Sequence, residues 1–377
     1  MEARPENVAA PRAHNPLPFF SIYVVSAIGF WFATYGGLYT LVAPLAITFI
    51  AVPVFDVLMG VETRNPAESP PGPLSRTMFR VATWLAVPVQ GAVLLWGTWM
   101  VSRSSPSALE VAGWVTAVGI TGGVIGITVA HELVHRGSRL DRTLGGVLLT
   151  MVFYLHWAIE HVAGHHRRVA TAEDPATARL DESLPVFMVR SIGLGFLSAW
   201  RIEAVRNVRR EIRSSLRNRV ILCVLASCAL AAALGIAFGL RAVWFFVAQS
   251  AVAIAFLETI NYIEHYGLER RPVRPGVYER VTPLHSWNAA HRLTNALLFN
   301  LQRHSDHHVW PARVYYNLRH HPESPQLPTG YAGMALLAMC PPLWRRVMNP
   351  RVAAHRARLA QTAAPSTDGD AETTGVA

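Results

Sequence analysis

The stretch Asn261-Tyr-Ile-Glu-His-Tyr-Gly-Leu268 closes a long apolar run, and three further histidine-rich segments lie at or beside apolar runs. They are His131-Glu-Leu-Val-His135, His161-Val-Ala-Gly-His165-His166 and His304-Ser-Asp-His307-His308. These four segments hold nine of the sixteen histidines. Neutral imidazole is the commonest metal ligand in proteins, and nine are too many for one tetrahedral zinc. The pattern indicates a nitrogen-rich site for more than one metal ion, and iron is the metal that would give it oxygen chemistry.

The composition is that of a membrane protein. Hydrophobic residues make up 51% of the chain and charged residues 15%, and the mean hydropathy is +0.26. The formal charge is +10, and all 34 basic residues are arginine. A basic protein can bind nucleic acid, but so apolar a chain makes that an unfavourable interpretation. The three cysteines form no C-x-x-C pair, so we expect no iron–thiolate site within the chain.

We predict one membrane-embedded domain over residues 17–350. Residues 1–16 are rich in proline and arginine and are expected to form a flexible N-terminal tail. Residues 351–377 are small, polar and low in complexity, which predicts a disordered C-terminal tail.

The predicted fold class is all-α and integral to the membrane, with six transmembrane helices. A spanning helix needs ~20 mostly apolar residues, and six runs qualify: 17–36, 38–59, 79–101, 110–131, 218–240 and 242–262. The links after the first, third and fifth runs carry only Arg103 and Arg241. The positive-inside rule therefore predicts an inner-membrane protein with both termini and all four histidine segments on the cytoplasmic side.

Three segments between the runs are assigned to the interface or the cytoplasm. The segment 141–166 could be a seventh span, but a crossing there would separate 131–135 from 161–166, so we interpret it as interfacial. Residues 185–200 are also expected at the interface. Residues 201–219 are expected to form an arginine-rich cytoplasmic helix.

The spacing within the histidine segments suits metal binding from helices. His131 and His135 are four apart and share a helical face, so both can reach one ion. A group with three histidines can give two ligands to one ion and turn the third toward a neighbouring ion. His-Glu-x-x-His also fits zinc metalloproteases, with Glu132 as general base, so a membrane zinc metalloprotease stays an alternative. Such a protease needs one further ligand, not seven.

The chain resembles the membrane-bound alkane hydroxylases (alkane 1-monooxygenases) within the histidine-rich diiron fatty-acid desaturase and hydroxylase superfamily. The three clustered segments match the superfamily pattern, and the form N-Y-x-E-H-Y-G-L at 261–268 marks the hydroxylases. The resemblance covers roughly residues 20–350 and departs from the family at Pro185 and Asn349. Further matching stretches are Glu160–Arg179, His285–Asn288, Leu301–His308 and Leu327–Tyr331.

The resemblance implies two iron ions held by nine ligands: His131, His135, His161, His165, His166, His265, His304, His307 and His308. Carboxylates beside metal ligands commonly accept the other imidazole N–H, and this role is assigned to Glu132, Glu160, Asp174, Glu264 and Asp306, although one of them could be a direct ligand. His156, His285 and His291 are expected to be structural or to support the ligands. No role is expected for His14, His320, His321 and His355.

The resemblance also implies the reaction: insertion of one atom of O2 into the terminal C–H bond of a medium-chain n-alkane. Electrons would come from a rubredoxin that is reduced by an NAD(P)H-dependent reductase. An arginine surface would suit the acidic donor, although anionic lipid is an equal explanation for it: Arg201, Arg206, Arg209, Arg210, Arg213 and Arg217. Another apolar substrate, such as a fatty acyl chain, an aromatic methyl group or a terpene, is the alternative within the superfamily.

An alkane has no polar group and dissolves in the bilayer, so an apolar tunnel should lead from the membrane to the metals. Seven aromatic residues of the predicted spans are candidates for its lining by residue type alone: Trp31, Phe32, Phe49, Phe55, Trp84, Trp96 and Trp114.

Overall fold

The computed structural model describes residues 10–103, 105–212 and 214–363. It is predominantly helical, and five helical stretches are long and apolar enough to cross a membrane: Leu38–Met59, Pro73–Ser102, Ala108–Val134, Arg219–Phe238 and Leu240–His265. These match five of the six predicted spans. The first predicted span is represented by the shorter apolar stretch Leu17–Ala33, so the count of six remains a prediction.

The first helices form a hairpin. A 3-10 turn, Leu17–Phe20, leads into α1 (Ser21–Ala33), which is followed by α2 (Leu38–Ala46), a π-helical turn at Ile47–Ala51 and α3 (Val52–Met59). The chain reverses at Gly36 and Gly37, whose φ angles of 78° and 53° lie in the left-handed region that glycine tolerates. Glu110 accepts a hydrogen bond of 3.2 Å from the Gly37 N–H, which ties the hairpin to the next pair of helices.

Two long helical stretches carry histidines at the same end of the bundle. One is formed by α6 (Ala108–Thr121), a π-helical stretch at Gly122–Ile127 and α7 (Thr128–Val134). It follows the stretch of α4 (Pro73–Trp84) and α5 (Ala86–Ser102), which carries no histidine. The C-terminal pair of spans is α12 (Arg219–Phe238) and α13 (Leu240–His265). A Cβ atom on Gly119 would lie 2.5 Å from Val252 Cβ, so α6 and α13 approach each other closely. This contact brings the histidine-bearing ends of α7 and α13 together.

The segment after α7 is divided into short helical pieces. It consists of α8 (Arg139–Thr150), α9 (Trp157–Glu160), a π-helical turn at His161–His165 and α10 (His166–Arg168). The longest of these pieces has 12 residues, which is too short for a crossing. Residues 131–135 and 161–166 contribute to the same histidine group, which is what the interfacial interpretation of 141–166 requires.

The next helix differs from the prediction. Residues 185–200 and 201–209 form one continuous helix, α11 (Leu184–Arg209), and no α-helix covers the described residues of 210–218, where only Ser215–Arg217 make a 3-10 turn. The predicted helix over 201–219 is thus corrected to end at Arg209, because Glu211 takes a left-handed φ of 57° and breaks the helix.

The C-terminal part is a set of short elements that cover the histidine ends of the spans. A small antiparallel hairpin pairs β1 (Pro272–Arg274) with β2 (Val277–Tyr278). It is followed by 3-10 turns at Pro283–His285 and Tyr315–Asn317 and by four helices: α14 (Arg292–Leu297), α15 (His304–Val309), α16 (Tyr331–Ala338) and α17 (Pro341–Ala363).

Both predicted tails are shorter than expected. Residues 351–363 are not disordered but continue α17, because Val352 is buried and His355 Nε2 lies 2.9 Å from the Leu284 carbonyl. At the other end, Arg12 exchanges backbone hydrogen bonds of 2.8 Å and 3.0 Å with Asn65 and Ala67, so residues near Arg12 are held rather than loose. Residues 1–9 and 364–377 lie outside the described part of the chain.

Candidate metal centre

All nine histidines predicted as ligands come together at the covered end of the bundle. They form two adjoining groups, in each of which one ligand atom per residue lies within 4.8 Å of all the others. The five-histidine group contains His131, His135, His161, His166 and His307. The four-histidine group contains His165, His265, His304 and His308.

The five-histidine group joins three parts of the chain. The Nε2 atom of His161 lies 3.0 Å from Nε2 of His135 and 3.1 Å from Nε2 of His166. His307 Nε2 lies 3.1 Å from His166 Nε2. His131 completes the group, with its ring centroid 4.4 Å from that of His307.

The four-histidine group is built in the same way. His304 Nε2 lies 3.1 Å from His265 Nε2 and 2.9 Å from His308 Nε2. The ring of His165 lies 4.8 Å from that of His265. The two groups touch, since the His166 and His308 ring centroids are 4.5 Å apart. This is the geometry of two neighbouring cation sites.

The division of the second histidine segment between the groups follows from its backbone. His161 and His165 are four apart, and the sequence predicts that an α-helix would direct both to one ion. The turn His161–His165 is instead π-helical, with hydrogen bonds from residue i to i+5. His161 therefore pairs with His166, five residues on, and His165 is turned to the other group.

The donor atoms fit metal ions. The buried Nε2 atoms of His131 and His165 have no hydrogen-bond partner, although buried polar atoms normally have one. Burial, together with the neighbouring imidazoles, lowers the pKa of His161, His166 and His307 well below the usual range. Neutral imidazoles with convergent lone pairs are the form of histidine that binds metal.

Two of the five predicted carboxylates touch the nine imidazoles. Asp174 is buried, and one of its oxygens lies 2.8 Å from Nδ1 of His165. If this nitrogen carries the proton, Nε2 is left free to bind a metal. Glu264 differs, because its Oε2 atom lies 3.1 Å from His304 Nε2, the nitrogen that faces the other imidazoles, while Tyr331 donates a 2.8 Å hydrogen bond to Oε1. This position suits a direct ligand better than a supporting acceptor.

The other three predicted carboxylates contact arginines instead. Glu132 pairs with Arg136 and accepts a 3.1 Å hydrogen bond from the Tyr315 N–H. Glu160 pairs with Arg168 at 2.8 Å, and Asp306 pairs with Arg313 at 2.5 Å. The expectation that they accept imidazole N–H groups from the nine ligands is therefore corrected. They fix the backbone of the histidine segments through ion pairs.

Three residues around the site were missed from the sequence. The Trp157 ring stacks on His161 at a centroid distance of 4.2 Å, and its position four residues earlier on the same helical face was the available signal. His321, for which no role was expected, bonds to Asp306 at 2.8 Å. Tyr331 contacts Glu264 from α16, and nothing in the local sequence pairs these two residues.

The remaining histidines lie outside the two groups. His285 contacts Glu279 at 3.2 Å, and His14 contacts the Ser69 carbonyl at 2.9 Å. His320 donates its backbone N–H to Asn65. The rest are His156, beside the Tyr154 ring, His291, beside α14, and His355, described above.

A large apolar cavity ends at the metal centre. It contains about 1250 Å³ of space between atoms, including its open mouth. His131, His161, His304 and Glu264 line one part of it. The rest is lined mainly by apolar side chains of α1, the 38–59 stretch, α6, α13, α14 and α16, among them Ile22, Phe30, Ile47, Ile120, Phe256 and Ala335. Hydroxyl groups of Ser26, Thr48, Thr121, Thr128 and Thr294 lie among them. A long apolar molecule can therefore reach the imidazoles from within the membrane domain.

Only one of the seven candidate aromatic residues lines this cavity. Phe49 does so, while Trp114 is buried between helices and Trp84 bonds to Asp141. The other four, Trp31, Phe32, Phe55 and Trp96, are exposed at the protein surface. The tunnel prediction is thus corrected residue by residue, because composition does not specify which face of a helix points inward.

The described arginines predicted to bind a partner lie in the C-terminal part of α11 and beyond its end. Arg201, Arg209, Arg210 and Arg217 are exposed. Arg206 forms a 3.1 Å ion pair with the buried Glu203. Arg213 lies outside the described residues.

Comparison with known proteins gives consistent matches. The family model described as "Fatty acid desaturase" matches residues 104–337. Alkane 1-monooxygenase 2 of Pseudomonas aeruginosa is 42% identical over 83% of this chain and 84% of its own length. Alkane 1-monooxygenase 1 of the same organism is 43% identical over 81% of each chain. A more distant relative, the hydroxylase component of a xylene/toluene monooxygenase of Pseudomonas putida, is 27% identical over 88% of this chain and 87% of its own.

Proposed function

Because the chain belongs to the fatty acid desaturase family, and within it to the alkane 1-monooxygenases, we propose that it hydroxylates the terminal carbon of medium-chain n-alkanes. The product is a 1-alkanol, and the second atom of O2 leaves as water. The enzyme is a membrane monooxygenase with a histidine-rich metal site.

One observation carries this function: the apolar cavity ends at both histidine groups. A substrate without polar atoms can be bound only by apolar surface and oriented only by the shape of its site. The cavity offers such surface along its length, and its polar side chains include His131, His161 and His304 at one part of the wall.

We propose that two iron ions occupy the site, one in each histidine group, with Glu264 as an additional donor to the four-histidine group. The five imidazoles of one group and the four imidazoles plus one carboxylate of the other then offer equal numbers of donors. When bound, the iron pair supplies the activation of O2 and its insertion into a C–H bond. The protein's residues hold the metals, exclude water and direct the chain end toward them.

The ligands are held by the residues around them. Asp174 fixes the tautomer of His165, and Trp157 packs on the His161 ring. Tyr331 holds Glu264 at the boundary between the cavity and the imidazoles. Such supporting contacts keep ligands in place when the metals change charge.

The electron donor is proposed to be a rubredoxin that docks on the cytoplasmic side of the inner membrane. The exposed arginines at Arg201, Arg209, Arg210 and Arg217 suit an acidic protein. The same arginines would hold this side in the cytoplasm by the positive-inside rule, and anionic lipid would compete for them.

Two alternatives are weaker on specific observations. For an aromatic substrate, the relative whose name gives xylene and toluene is 27% identical to this chain, against 42% and 43% for the alkane enzymes. The zinc protease interpretation needs Glu132 to face the metal as a base, but its carboxylate is engaged by Arg136 and the Tyr315 N–H.

The test is product analysis in membranes that contain the protein, a rubredoxin and its reductase. A series of n-alkanes is supplied under 18O2, and metals are measured on the same sample. We expect labelled 1-alkanols over part of the series and two iron ions per chain. No labelled alcohol from iron-loaded protein would refute the alkane substrate, and zinc without iron would refute the oxygenase.

A further inference from the structure

A second, polar pocket adjoins the apolar cavity but is lined by different chemistry. Its walls carry Tyr154, His156, Glu160 and Glu258, and helix α11 contributes Ser191. The pocket is small, with room for about one ordered water molecule. Only Trp157 and Asn261 line both the pocket and the cavity, so these two side chains form the wall between them.

Glu258 is the unusual group in this pocket. Its side chain is 1% exposed, at a position within a spanning helix. Tyr154 donates a 3.1 Å hydrogen bond to one carboxylate oxygen, and Asn261 donates a 3.3 Å bond to the other. Ser191 lies beside it. No arginine pairs with it in the described chain, unlike Glu132, Glu160 and Asp306. A buried carboxylate without a cation is costly, which points to a use.

The position of Glu258 connects the pocket with the metal centre. Glu258, Asn261 and His265 are spaced three and four apart and therefore share one face of α13. Seven residues of helix separate Glu258 from His265, which is about 10 Å. Asn261, on the same face, lines both the pocket and the cavity wall that carries His304. His156 is half-buried, so the part of the pocket that it lines lies closer to the protein surface than Glu258 does.

The reaction consumes protons, which an apolar cavity does not conduct. In RH + O2 + 2 H⁺ + 2 e⁻ → ROH + H2O, one C–H bond and the O–O bond break, and one C–O bond and new O–H bonds form. The carbon is oxidised and O2 is reduced by electrons from the one-electron iron–sulfur donor. Two protons are consumed at the buried centre in each turnover, and a proton crosses apolar surface poorly because it cannot be solvated there.

We propose that Glu258 is a proton-relay residue, and that the pocket of Tyr154, His156, Glu258 and Asn261 delivers protons to the metal centre by a route separate from the alkane cavity. This rests on the proposed function. The carboxyl gives its proton toward Asn261 through water in the pocket and is reprotonated from the His156 side. Glu258 would act by passing protons toward the metal centre, and it would contact neither the substrate nor a metal ion.

The test compares the full-length, iron-loaded protein with Glu258→Gln, which keeps the size and one acceptor of the side chain but cannot release a proton. We expect normal iron content, a fall in kcat of at least about tenfold, more H2O2 per electron pair, and a larger solvent deuterium isotope effect. Glu258→Asp should recover part of the coupling between electrons and alcohol. Glu68→Gln, at an exposed carboxylate that contacts Arg319 at 3.3 Å, is the control and should behave as wild type.

The outcomes separate the two proposals. If wild type forms no alcohol from any alkane, the proposed function fails. If wild type is active and Glu258→Gln matches it in kcat, coupling and isotope effect, the relay is refuted. Iron loss in proportion to activity, in both Glu258→Gln and Glu258→Asp, would also overturn it and assign Glu258 a structural role. Tyr154→Phe, which removes one hydrogen bond to Glu258, should give the same changes in weaker form.

Discussion

Replacing Asp174 with asparagine should weaken one metal site and leave the other nearly unchanged. One oxygen of Asp174 lies 2.8 Å from His165 Nδ1 and accepts a 2.6 Å hydrogen bond from Thr177, while the other accepts a 3.2 Å bond from the Ala176 N–H. An amide has one oxygen and one NH2 group. Whichever way it turns, a donor faces either the Ala176 N–H or the His165 nitrogen.

Both orientations of the amide weaken the four-histidine group. If the NH2 group faces His165, the ring must accept at Nδ1, and its proton moves to Nε2, which then cannot bind a metal. If the oxygen faces His165, two buried N–H donors oppose each other, at a cost of about 1–3 kcal/mol. Removal of such a supporting partner typically lowers metal affinity about 10–100-fold, or roughly 1.4–2.7 kcal/mol.

The assay is metal analysis after equilibration of the protein with a graded series of chelator concentrations. Wild type should release both ions over one range, whereas Asp174→Asn should release one ion per chain at a chelator concentration about 10–100-fold lower. Asp141→Asn, which alters a carboxylate that contacts Trp84 rather than an imidazole, is the control. Retention of both ions with wild-type affinity would refute the tautomer argument, and equal loss of both ions would refute the assignment of His165 to one group.

Four other predictions follow from the same structure. His307→Ala and His265→Ala should each remove one metal ion, from the five-histidine and four-histidine groups respectively, and abolish alcohol formation; equal loss of both ions from either variant would contradict two separate groups. Ala332→Phe should fill part of the cavity wall and shift the products of an n-alkane series toward shorter chains without changing iron content; an unchanged chain-length profile would remove Ala332 from the substrate path. Arg209→Glu combined with Arg210→Glu should raise the KM for the rubredoxin without changing iron content. Arg103→Glu, outside the predicted docking surface, should leave this KM unchanged. An unchanged KM in the double variant would refute docking and favour lipid contact as the role of these arginines. Removal of residues 351–377 should lower the melting temperature, because burial of Val352 alone is worth about 1.5–3 kcal/mol; an unchanged melting temperature would show that this part of α17 contributes nothing to stability.

The spans and the set of nine histidines could be predicted because each depends on local sequence. A run such as 38–59 is apolar over the length of a helix, and the structure gives the same bounds. His131 and His135 share a helical face by spacing alone. The first predicted span, 17–36, corresponds to the shorter apolar stretch Leu17–Ala33, which has barely the length for a crossing.

The rest depended on contacts between distant residues or on irregular backbone. No feature of the letters 161–166 specifies a π-helical turn, yet that turn decides which ion His165 faces. The sequence places Arg136 one helical turn after Glu132, but it does not show that the Glu132 carboxylate also accepts from the backbone of Tyr315, 183 residues away, rather than from an imidazole. Likewise, the C-terminal part of α17 is held by a contact of His355 with the Leu284 carbonyl and by a hydrogen bond from Arg356 to the Gly267 carbonyl. These partners are distant in sequence, so the composition of residues 351–377 alone predicted a disordered tail.

The distribution of polar groups explains how a substrate without polar atoms can be oxidised at its end. Apolar burial contributes about 25 cal/mol for each Å², and this term hardly changes when an alkane slides along a uniform apolar tube. A change in the wall is needed to stop it. Asn261, Glu264 and Tyr331 supply such a change beside His304, since covering these groups with a methylene chain would cost them solvation or hydrogen bonds. The methyl end of a bound alkane would therefore approach this boundary without passing it, which would place the terminal carbon nearest the imidazoles.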